Sequence, residues 1–527
     1  MITAVLIDSL SIQQYIFASN KLREQIGASY IVEKLIFYEC IPLALQEVFN
    51  LTVIPEANAW ESEANTYLLE EKADAAFEIG YIGGGNALVL FREAQKANEF
   101  IKAHSFLLLL HFPGIKTAYA VDENFAYTDD AYKACRERLS KQLIQNRNFH
   151  TTLTVPFKPG IADDCDFSGE AKEDFKVREI QAEGRSKQVF ASAVTYSKQN
   201  DDLIKEARKY LTDRLLSAKE IAQYVFTDNQ EELGQPDEKG YIAIVHADGN
   251  GMGQKFLDAT SLAKTRTLSA GTKLFATEVM KNLMQDVIDA VATVDYLKIN
   301  EDDEGHRILP IRPIIAGGDD ITFVCEGRLG IYLAERLLYH MTSVSIDGDK
   351  IQACAGVVLV HSKFPFYKAY KLCEEVTKVA KDDSRGTETS RLHYHLSTGG
   401  FSGSYEDIVR QEFTVPGKGS LKFGPYVMNS ETDEKAIVAL RSRIKDFSTK
   451  WPRSKAKELR DVLRRTESDE KYFITTLKVH KKSEEMKKTT EKTIDVLWQN
   501  GKTIYFDAIE LVDFYPAELI NKTNKTA

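Results

Sequence analysis

The centre of the chain carries two short glycine- and aspartate-rich turns, each at the end of an apolar segment. The first reads Tyr241-Ile242-Ala243-Ile244-Val245-His246-Ala247-Asp248-Gly249-Asn250-Gly251-Met252-Gly253. The second reads Ile314-Ile315-Ala316-Gly317-Gly318-Asp319-Asp320-Ile321-Thr322-Phe323-Val324. The apolar segments are typical of buried strands, and the Gly-Gly pair predicts a hairpin whose tip presents adjacent carboxylates. We expect both turns to meet at one edge of a sheet, with helical sequence between them.

This arrangement would bring three carboxylates together, those of Asp248, Asp319 and Asp320. Hard cations such as Mg²⁺ bind carboxylate oxygens, water and substrate phosphates, and a pair of such ions supports nucleotidyl transfer. The neighbouring glycines let backbone and phosphate approach closely. Each motif by itself is more typical of an ordinary structural turn. Their joint occurrence at two strand ends favours the catalytic interpretation.

Composition and charge indicate a globular chain with several domains. Its 527 residues predict about three or four of them. The formal net charge of −10 argues against a wholly basic nucleic-acid coat. Six cysteines without paired spacing indicate a reducing compartment. The chain opens with a predicted strand without a signal-peptide pattern, and no apolar run reaches the ~20 residues that span a bilayer. We therefore expect a cytoplasmic protein without membrane contact.

The N-terminal third of the chain resembles the central third, which predicts two similar α/β modules packed face to face. The segment that ends at Asp8 matches the one that ends at Asp248, and Gly83-Gly84-Gly85-Asn86 matches Gly317-Gly318-Asp319-Asp320. Because Asn86 cannot bind a divalent cation strongly, we expect the second module to be catalytic and the first to be its non-catalytic partner. The loops Gly27-Ala28-Ser29 and Gly83-Gly84-Gly85 could be simple turns, or could cradle phosphate or a nucleobase.

The rest of the chain gives weaker signals. A predicted helix from Tyr367 to Lys381 places Lys371, Lys378 and Lys381 along one side, as a triphosphate clamp or as a solvated lysine face. Cys165 resembles half of a zinc knuckle, but the chain has no Cys-x-x-Cys, so we expect no structural zinc. Residues 431–500 are helix-rich and modestly basic, which suits contact with RNA or an acidic protein, or simply a solvated surface.

These features resemble a known family, the large polymerase-like subunit of type III CRISPR effector complexes. The resemblance rests on the following segments: Gln14-Tyr15-Ile16-Phe17, Leu22–Ser29, Gly83–Asn86, Asp248–Gly253, Gly317–Asp320, His361–Pro365, Ala380-Lys381 and Tyr505–Leu511. It implies an α+β fold with two ferredoxin-like palm domains in tandem, similar to GGDEF and adenylyl cyclase domains, with helical inserts and a C-terminal helical bundle. The implied domains are a degenerate first palm (1–125), a mostly helical inter-palm domain with a degraded zinc knuckle (126–238), a catalytic second palm (239–400) and a C-terminal helical domain (401–527).

The resemblance also implies a function. The chain would be a magnesium- or manganese-dependent nucleotidyltransferase that makes cyclic oligoadenylate, or a related adenylated second messenger, from ATP when target RNA is bound. Asp248, Asp319 and Asp320 would hold the metal with help from the Gly249 carbonyl. The implied nucleotide-binding residues are Asn250, Gly251, Met252, Gly253, Gly317, Gly318, Lys378 and Lys381, and in the first palm Gly27, Ala28, Ser29, Gly83, Gly84 and Gly85. Other effector subunits, and guide and target RNA through the complex, would be its partners.

Three departures from the family's pattern limit how far the family's function can be assigned to this chain. We expect no N-terminal HD nuclease domain, the zinc knuckle is reduced to Cys165, and Asn250 replaces the second aspartate of the usual Asp-Gly-Asp turn. Two alternatives therefore remain: a catalytically silent scaffold subunit of the same complex, and a stand-alone nucleotide cyclase. The sequence does not fix the size of the product or the acceptor.

Overall fold

The computed structural model is a mixed α/β chain, described for residues 2–62, 64–149, 163–165, 167–168, 171, 175–182, 185–233, 240–297, 299–387, 389–399, 403–479 and 496–523. Its strands are β1 Ile2–Leu10, β2 Phe77–Gly83, β3 Asn86–Phe91, β4 Lys116–Phe125, β5 Phe175–Ala182, β6 Arg185–Ala191, β7 Tyr224–Val225, β8 Tyr241–Gly249, β9 Arg307–Ile308, β10 Ile311–Gly317, β11 Asp320–Glu326, β12 Ser345–Ile346, β13 Asp349–Lys350, β14 Ala353–His361, β15 Arg391–Leu396, β16 Thr414–Val415, β17 Gly419–Ser420 and β18 Tyr426–Val427.

The helices connect and cover these strands. They are α1 Ile12–Ile16, α2 Leu22–Tyr30, α3 Cys40–Phe49, α4 Ala59–Ser62, α5 Leu68–Glu71, α6 Ala94–His111, α7 Asp129–Phe149, α8 Ala193–Gln199, α9 Asp201–Leu215, α10 Ala218–Ile221, α11 Met252–Leu257, α12 Leu262–Thr293, α13 Gly330–Ser343, α14 Phe366–Ser384, α15 Tyr405–Glu412, α16 Ile437–Thr449, α17 Arg453–Val462, α18 Glu467–Val479, α19 Phe506–Leu511 and α20 Ala517–Thr523. A π-helical segment, Ile31–Glu39, joins α2 to α3.

Two main sheets share one arrangement of four strands. The first sheet has the order β2-β3-β1-β4, and the second has the order β10-β11-β8-β14-β15-β18. Strand β1 pairs antiparallel with β3 and β4, and β8 pairs antiparallel with β11 and β14. In the second sheet β15 then joins β14 in parallel. The first four strands of the two sheets therefore correspond one to one.

The central strands of the second sheet are buried because helices cover them. Nearly every residue of β8 and β14 is buried, as expected for continuous apolar strands with little solvent access on either face. Helices α13 and α14 pack on these strands, and α12 packs between β10 and β2 of the first sheet. Arg266 of α12 forms an ion pair with Glu78 of β2, and both side chains are buried. The two modules therefore share one interior.

Two of the domain boundaries expected from the sequence separate elements that pack together. The boundary after residue 125 divides β4 from α7, although α7 lies against β4 and its Arg147 pairs with Asp8 of β1. The boundary after residue 400 divides β15 from β18, which pair in the second sheet. These pairings join segments that are distant along the chain, so local sequence gives no sign of them.

Two arginines of the basic C-terminal segment (residues 431–500) lie in the interior of the protein and not on its surface. Arg441 and Arg443 of α16 are buried. Arg441 pairs with Glu335 of α13, and Arg443 donates to the Glu434 carbonyl.

Cys165 is also buried. Over the described residues, no helix is long and apolar enough to cross a membrane.

Candidate active site

The second hairpin forms a tight turn at the edge of the second sheet. Gly317 pairs with Asp320, which leaves Gly318 and Asp319 as a two-residue tip. Gly318 has a φ of +75° while Asp319 keeps a negative φ. This is the pattern of a type II′ turn, which places glycine at its first central position. The tip therefore accommodates a carboxylate at Asp319 without backbone strain.

Strand β8 brings the third aspartate to the same place. Asp248 lies directly opposite Asp320 in the antiparallel pairing of β8 and β11. The Gly249 amide donates to the Asp319 carbonyl at 3.2 Å, and a Cβ on Gly249 would lie 2.8 Å from the Asp319 Cβ. Glycine is thus required at position 249 for the hairpin tip to approach the strand this closely. The structure brings the three predicted aspartates to one edge.

The charges at this edge are strongly coupled. Burial, together with the carboxylates of Asp248 and Asp320, raises the pKa of Asp319 to about 7. Burial also acts to raise the pKa of Asp320, but the neighbouring His246 and a hydrogen bond from Gln13 outweigh it, so this pKa is lowered. Lys381 of α14 forms an ion pair with Asp248. One lysine and one histidine therefore face three carboxylates.

The donor set fits a divalent cation. Within the described part of the chain, Asp320 Oδ1 is buried without a hydrogen bond and lies 3.3 Å from His246 Nδ1. Carboxylate oxygens in excess of nearby positive charge are the ligands that Mg²⁺ and Mn²⁺ prefer. Asp248, Asp319 and Asp320 are therefore the residues of this chain that could hold such an ion.

Another group of possible metal ligands lies on a separate loop. Atoms of Asp302, Glu304 and His306 lie within 4.8 Å of one another. Asp302 accepts from the backbone amides of Glu304 and His306, and its carboxylate lies 3.1 Å from His306 Nδ1. These bonds account for the cluster as a loop structure, and we assign no metal to it.

A large cavity separates the two modules and reaches the aspartates. Its volume is about 1130 Å³, and both hairpin tips contribute to its wall: Gly83, Gly84 and Gly85 on one side, and Gly317, Gly318, Asp319 and Asp320 on the other. Ser29 also lines it. The structure therefore places the predicted glycine turns of both modules around one space.

Two predicted nucleotide-binding positions lie elsewhere. Gly27 and Ala28 are buried in the middle of α2 instead of forming a loop. A Cβ on Gly27 would lie 1.6 Å from the Lys198 carbonyl oxygen, so this glycine allows close packing of α2 on α8. The expectation of a phosphate-binding loop at these two residues is wrong, because a helix-packing glycine looks the same in sequence as a turn glycine.

The turn after Asp248 serves structure at several positions. Gly251 has a φ of +79° and precedes α11, and Met252 is buried. The Asn250 side-chain amide donates to Cys354 Sγ at 3.8 Å, and the Asn250 backbone amide donates to the Gln352 carbonyl. A Cβ on Gly253 would meet no atom within 4 Å. Asn250 is thus directed to the neighbouring strand β14 and not to the aspartates.

The three lysines predicted for a triphosphate clamp have different surroundings. Lys381 pairs with Asp248, whereas Lys378 is exposed, and neither of these two lysines lines the cavity. Lys371, two helical turns before Lys378 on the same side of α14, does line the cavity. Of the predicted clamp, the structure brings Lys381 to the carboxylates and leaves Lys378 in solvent.

Several side chains of the cavity wall belong to no motif in the sequence. The wall includes the aromatic rings of Phe37, Tyr38, Tyr210, Phe256, Tyr367 and Tyr370, and the cations of Lys34, Arg214 and Lys273. Arg214 of α9 donates to the Ala316 carbonyl just before the hairpin tip, to Thr277 of α12 and to Glu33 of the first module. These side chains come from many separate elements, so no spacing in the sequence groups them.

The first module repeats the geometry of the aspartate edge with different chemistry. Asp8 of β1 lies opposite Asn86, as Asp248 lies opposite Asp320. Arg147 of α7 donates through Nε and Nη2 to Asp8, as Lys381 of α14 pairs with Asp248. The first edge thus contains one carboxylate neutralised by one guanidinium.

Comparison with known proteins identifies the class of the second module. Residues 241–388 match the family model of the Cas10/Cmr2 second palm domain. The crystal structure of Csm1 in T. onnurineus matches with a TM-score of 0.52 at 14% identity, covering 98% of this chain and 70% of that chain. A Csm1–Csm4 cassette in complex with pppApApA matches with a TM-score of 0.49 at 13% identity, covering 97% and 69%. The search of curated proteins gives no match.

These comparisons confirm the resemblance that the sequence carries. The segment from β8 to the end of α14 is a palm domain of the Cas10/Cmr2 type. The chain is Cas10-like, and the likeness to Csm1, at this low identity, concerns the fold.

Proposed function

We propose that the chain is a magnesium-dependent nucleotidyltransferase subunit of a type III CRISPR-like antiviral effector complex. In this proposal it makes cyclic oligoadenylate, or a related adenylated second messenger, from ATP when target RNA is bound. The observation that carries the proposal is the convergence of Asp248, Asp319 and Asp320 with Lys381 at one edge of the second sheet, where Asp319 and Asp320 line a cavity shared by the two modules. The first module would be a second, degenerate palm domain in tandem with the catalytic one.

The size of the cavity supports a reaction between two nucleotides. A pocket for one drug-sized ligand has roughly 300–1,000 Å³, and the volume here is about 1130 Å³. The donor ATP would lie at the second hairpin, and the acceptor would lie at Gly83-Gly84-Gly85 of the first module. Aromatic rings such as Tyr38 and Tyr370 in the wall provide surfaces on which bases stack.

The residues at the edge suit phosphoryl chemistry. The 3′-hydroxyl oxygen of the acceptor forms a bond to the α-phosphorus of ATP, the bond to pyrophosphate breaks, and the hydroxyl proton is released. A divalent cation, when bound, would supply neutralisation of the phosphate charge and acidification of the attacking hydroxyl. Asp248, Asp319 and Asp320 would hold that ion, and the Lys381 ammonium would attract the triphosphate.

The test is product formation by matched variants. Purified protein, alone and assembled with effector subunits, guide RNA and target RNA, is incubated with radiolabelled ATP and Mg²⁺, and product masses are measured. The double variant Asp319→Asn with Asp320→Asn keeps the side-chain shape and should lose product. The adjacent exposed pair at the start of α7 provides the control, Asp129→Ala with Asp130→Ala, and should keep it. Product formation by the folded Asp319/Asp320 variant would contradict the proposal.

A catalytically silent scaffold is the second candidate. It is favoured by Asn250, which brings no charge to the turn and whose amide is directed to Cys354. A wild-type complex that assembles on target RNA without turning over ATP would support this role.

A further inference from the structure

A helix of the first module reaches the carboxylate edge of the second. Gln13 of α1 donates through Nε2 to Asp320 Oδ2 at 3.1 Å, a contact between residues 307 positions apart. Gln13 also lines the shared cavity together with Asp319 and Asp320. A side chain of the non-catalytic module therefore contacts one of the three aspartates directly.

The first hairpin fixes the start of this helix. The Ser9 amide donates to the Gly85 carbonyl at 2.9 Å. A Cβ on Gly85 would lie 2.5 Å from Ile12 Cδ1, so the hairpin tip and Ile12 are in close contact. Ser11, which precedes α1, has a φ of 53° and a ψ of 44°. This left-handed conformation is costly for a residue other than glycine and persists where surrounding contacts impose it.

Two further contacts brace the helix from other elements. Lys198 of α8 donates through Nζ to the Tyr15 carbonyl at 3.0 Å. Phe17 stacks on Tyr370 of α14, with ring centroids 3.5 Å apart. Helix α1 is thus held in place by the β2–β3 hairpin, by α8 and by α14, the helix that carries Lys381.

Asp320 is therefore oriented by its neighbours on both sides. Its Oδ2 accepts from Gln13, and its Oδ1 lies 3.3 Å from His246 Nδ1 without a hydrogen bond. Because Oδ1 is buried against His246, Oδ2 is the accessible oxygen, and beside its bond from Gln13 it keeps a second lone pair with which to bind a cation. His246 is itself placed by Thr322, whose Oγ1 lies 2.9 Å from Nδ1.

We propose that Gln13 is a positioning residue that orients Asp320 for cation binding, so that docking of the first module completes the site of the second. This inference rests on the proposed function. Loss of a hydrogen bond to a charged group weakens the arrangement that depends on it by roughly 10-fold to 100-fold. The backbone contacts of α1 do not involve the Gln13 side chain, so its truncation should leave the fold intact.

The experiment measures cation binding separately from turnover. Binding of Mn²⁺ is titrated by electron paramagnetic resonance in the presence of a non-hydrolysable ATP analogue, and kcat and KM for ATP are measured on the effector complex. Gln13→Ala should bind Mn²⁺ at least 10-fold more weakly and lose kcat by a similar factor, with the KM for ATP changed less than about 2-fold. Gln13→Asn, which is one methylene shorter and cannot keep the 3.1 Å contact, should lose Mn²⁺ affinity in the same direction. Asp320→Asn provides the reference loss of Mn²⁺ affinity.

The matched control is an exposed glutamine with the same kind of bond. Gln285 of α12 donates through Nε2 to Asp289 at 3.0 Å on the helix surface, and Gln285→Ala should match the wild type in every measurement. Wild-type Mn²⁺ affinity in Gln13→Ala, an unchanged affinity in Asp320→Asn, or no Mn²⁺ binding by the wild type would each overturn the inference. Should Gln13→Ala fail to fold, Gln13→Asn decides by the same readout. If the wild type binds Mn²⁺ but makes no product, the proposed function fails while the Mn²⁺ titration still decides the role of Gln13.

Discussion

Adding one methyl group at Gly249 should disable the site while leaving the fold intact. A Cβ there would lie 2.8 Å from the Asp319 Cβ, 3.2 Å from its Oδ2 and 3.3 Å from Ile351 Cγ2. Carbon atoms in contact prefer about 3.5–4.0 Å, so the hairpin tip must move by about 1 Å. A displacement of that size at a reacting centre costs about 100-fold in rate, which corresponds to about 2.7 kcal/mol on the barrier.

The assay for Gly249→Ala compares turnover with stability. The kcat for ATP is measured with the melting temperature of the same preparation, because overpacking costs about 1–3 kcal/mol of stability. Gly399→Ala is the control, since a Cβ at Gly399 meets no atom within 4 Å. A Gly249→Ala protein that keeps kcat within about 2-fold of wild type would refute the claim that the approach of β8 fixes the position of Asp319.

Three further predictions concern single side chains. Lys381→Ala should weaken ATP binding, whereas Lys378→Ala should not, because Lys381 alone of the two contacts an aspartate; equal KM values for both variants would contradict this. Arg266→Ala should lower the unfolding free energy in urea by about 3–5 kcal/mol, because it leaves the buried Glu78 carboxylate without its cationic partner; a loss below about 1 kcal/mol would be inconsistent with a buried pair. Burial lowers the pKa of His104 from 6.5 to about 4, so the unfolded chain binds more protons below pH 6.5. Stability should therefore fall by up to about 3 kcal/mol between pH 6.5 and pH 4, a slope that His104→Asn should lack.

The sequence predicted the elements whose signals are local. Strand β8 and the β10–β11 hairpin occupy the positions expected from an apolar run and a glycine pair. The apolar run defines the strand, and the special backbone angle that Gly318 adopts at the tip explains why glycine stands there. The meeting of Asp248 with Asp320 follows once β8 and β11 are neighbours. Local pattern was sufficient for these features because strand, turn and carboxylate are consecutive in sequence.

Contacts between distant segments were not predictable in this way. Arg214 joins α9 to the hairpin strand, and Gln13 joins α1 to Asp320. Arg214 and Gln13 are common polar residues in helices, and their contacts arise only from the packing of the two modules. The opposite case occurs at Gly27. The sequence predicts a phosphate-binding loop or a simple turn there, but Gly27 lies in a helix, and its missing side chain makes room for the Lys198 carbonyl.

The two halves of the repeat differ in turn geometry as well as in charge, and the turn geometry decides whether the hairpin tip can carry a carboxylate. In the first hairpin both tip residues, Gly84 and Gly85, have positive φ, as in a type I′ turn. A side chain at position 85 would face backbone strain and the Ile12 methyl group 2.5 Å away. In the second hairpin the corresponding position has ordinary backbone angles and carries Asp319. The first edge has a single carboxylate balanced by a single guanidinium, whereas the second has three carboxylates beside one ammonium group and the His246 imidazole. The turn type of the second hairpin thus permits the extra carboxylate at its tip, whereas the tip of the first hairpin lies against Ile12 of α1, the helix that carries Gln13.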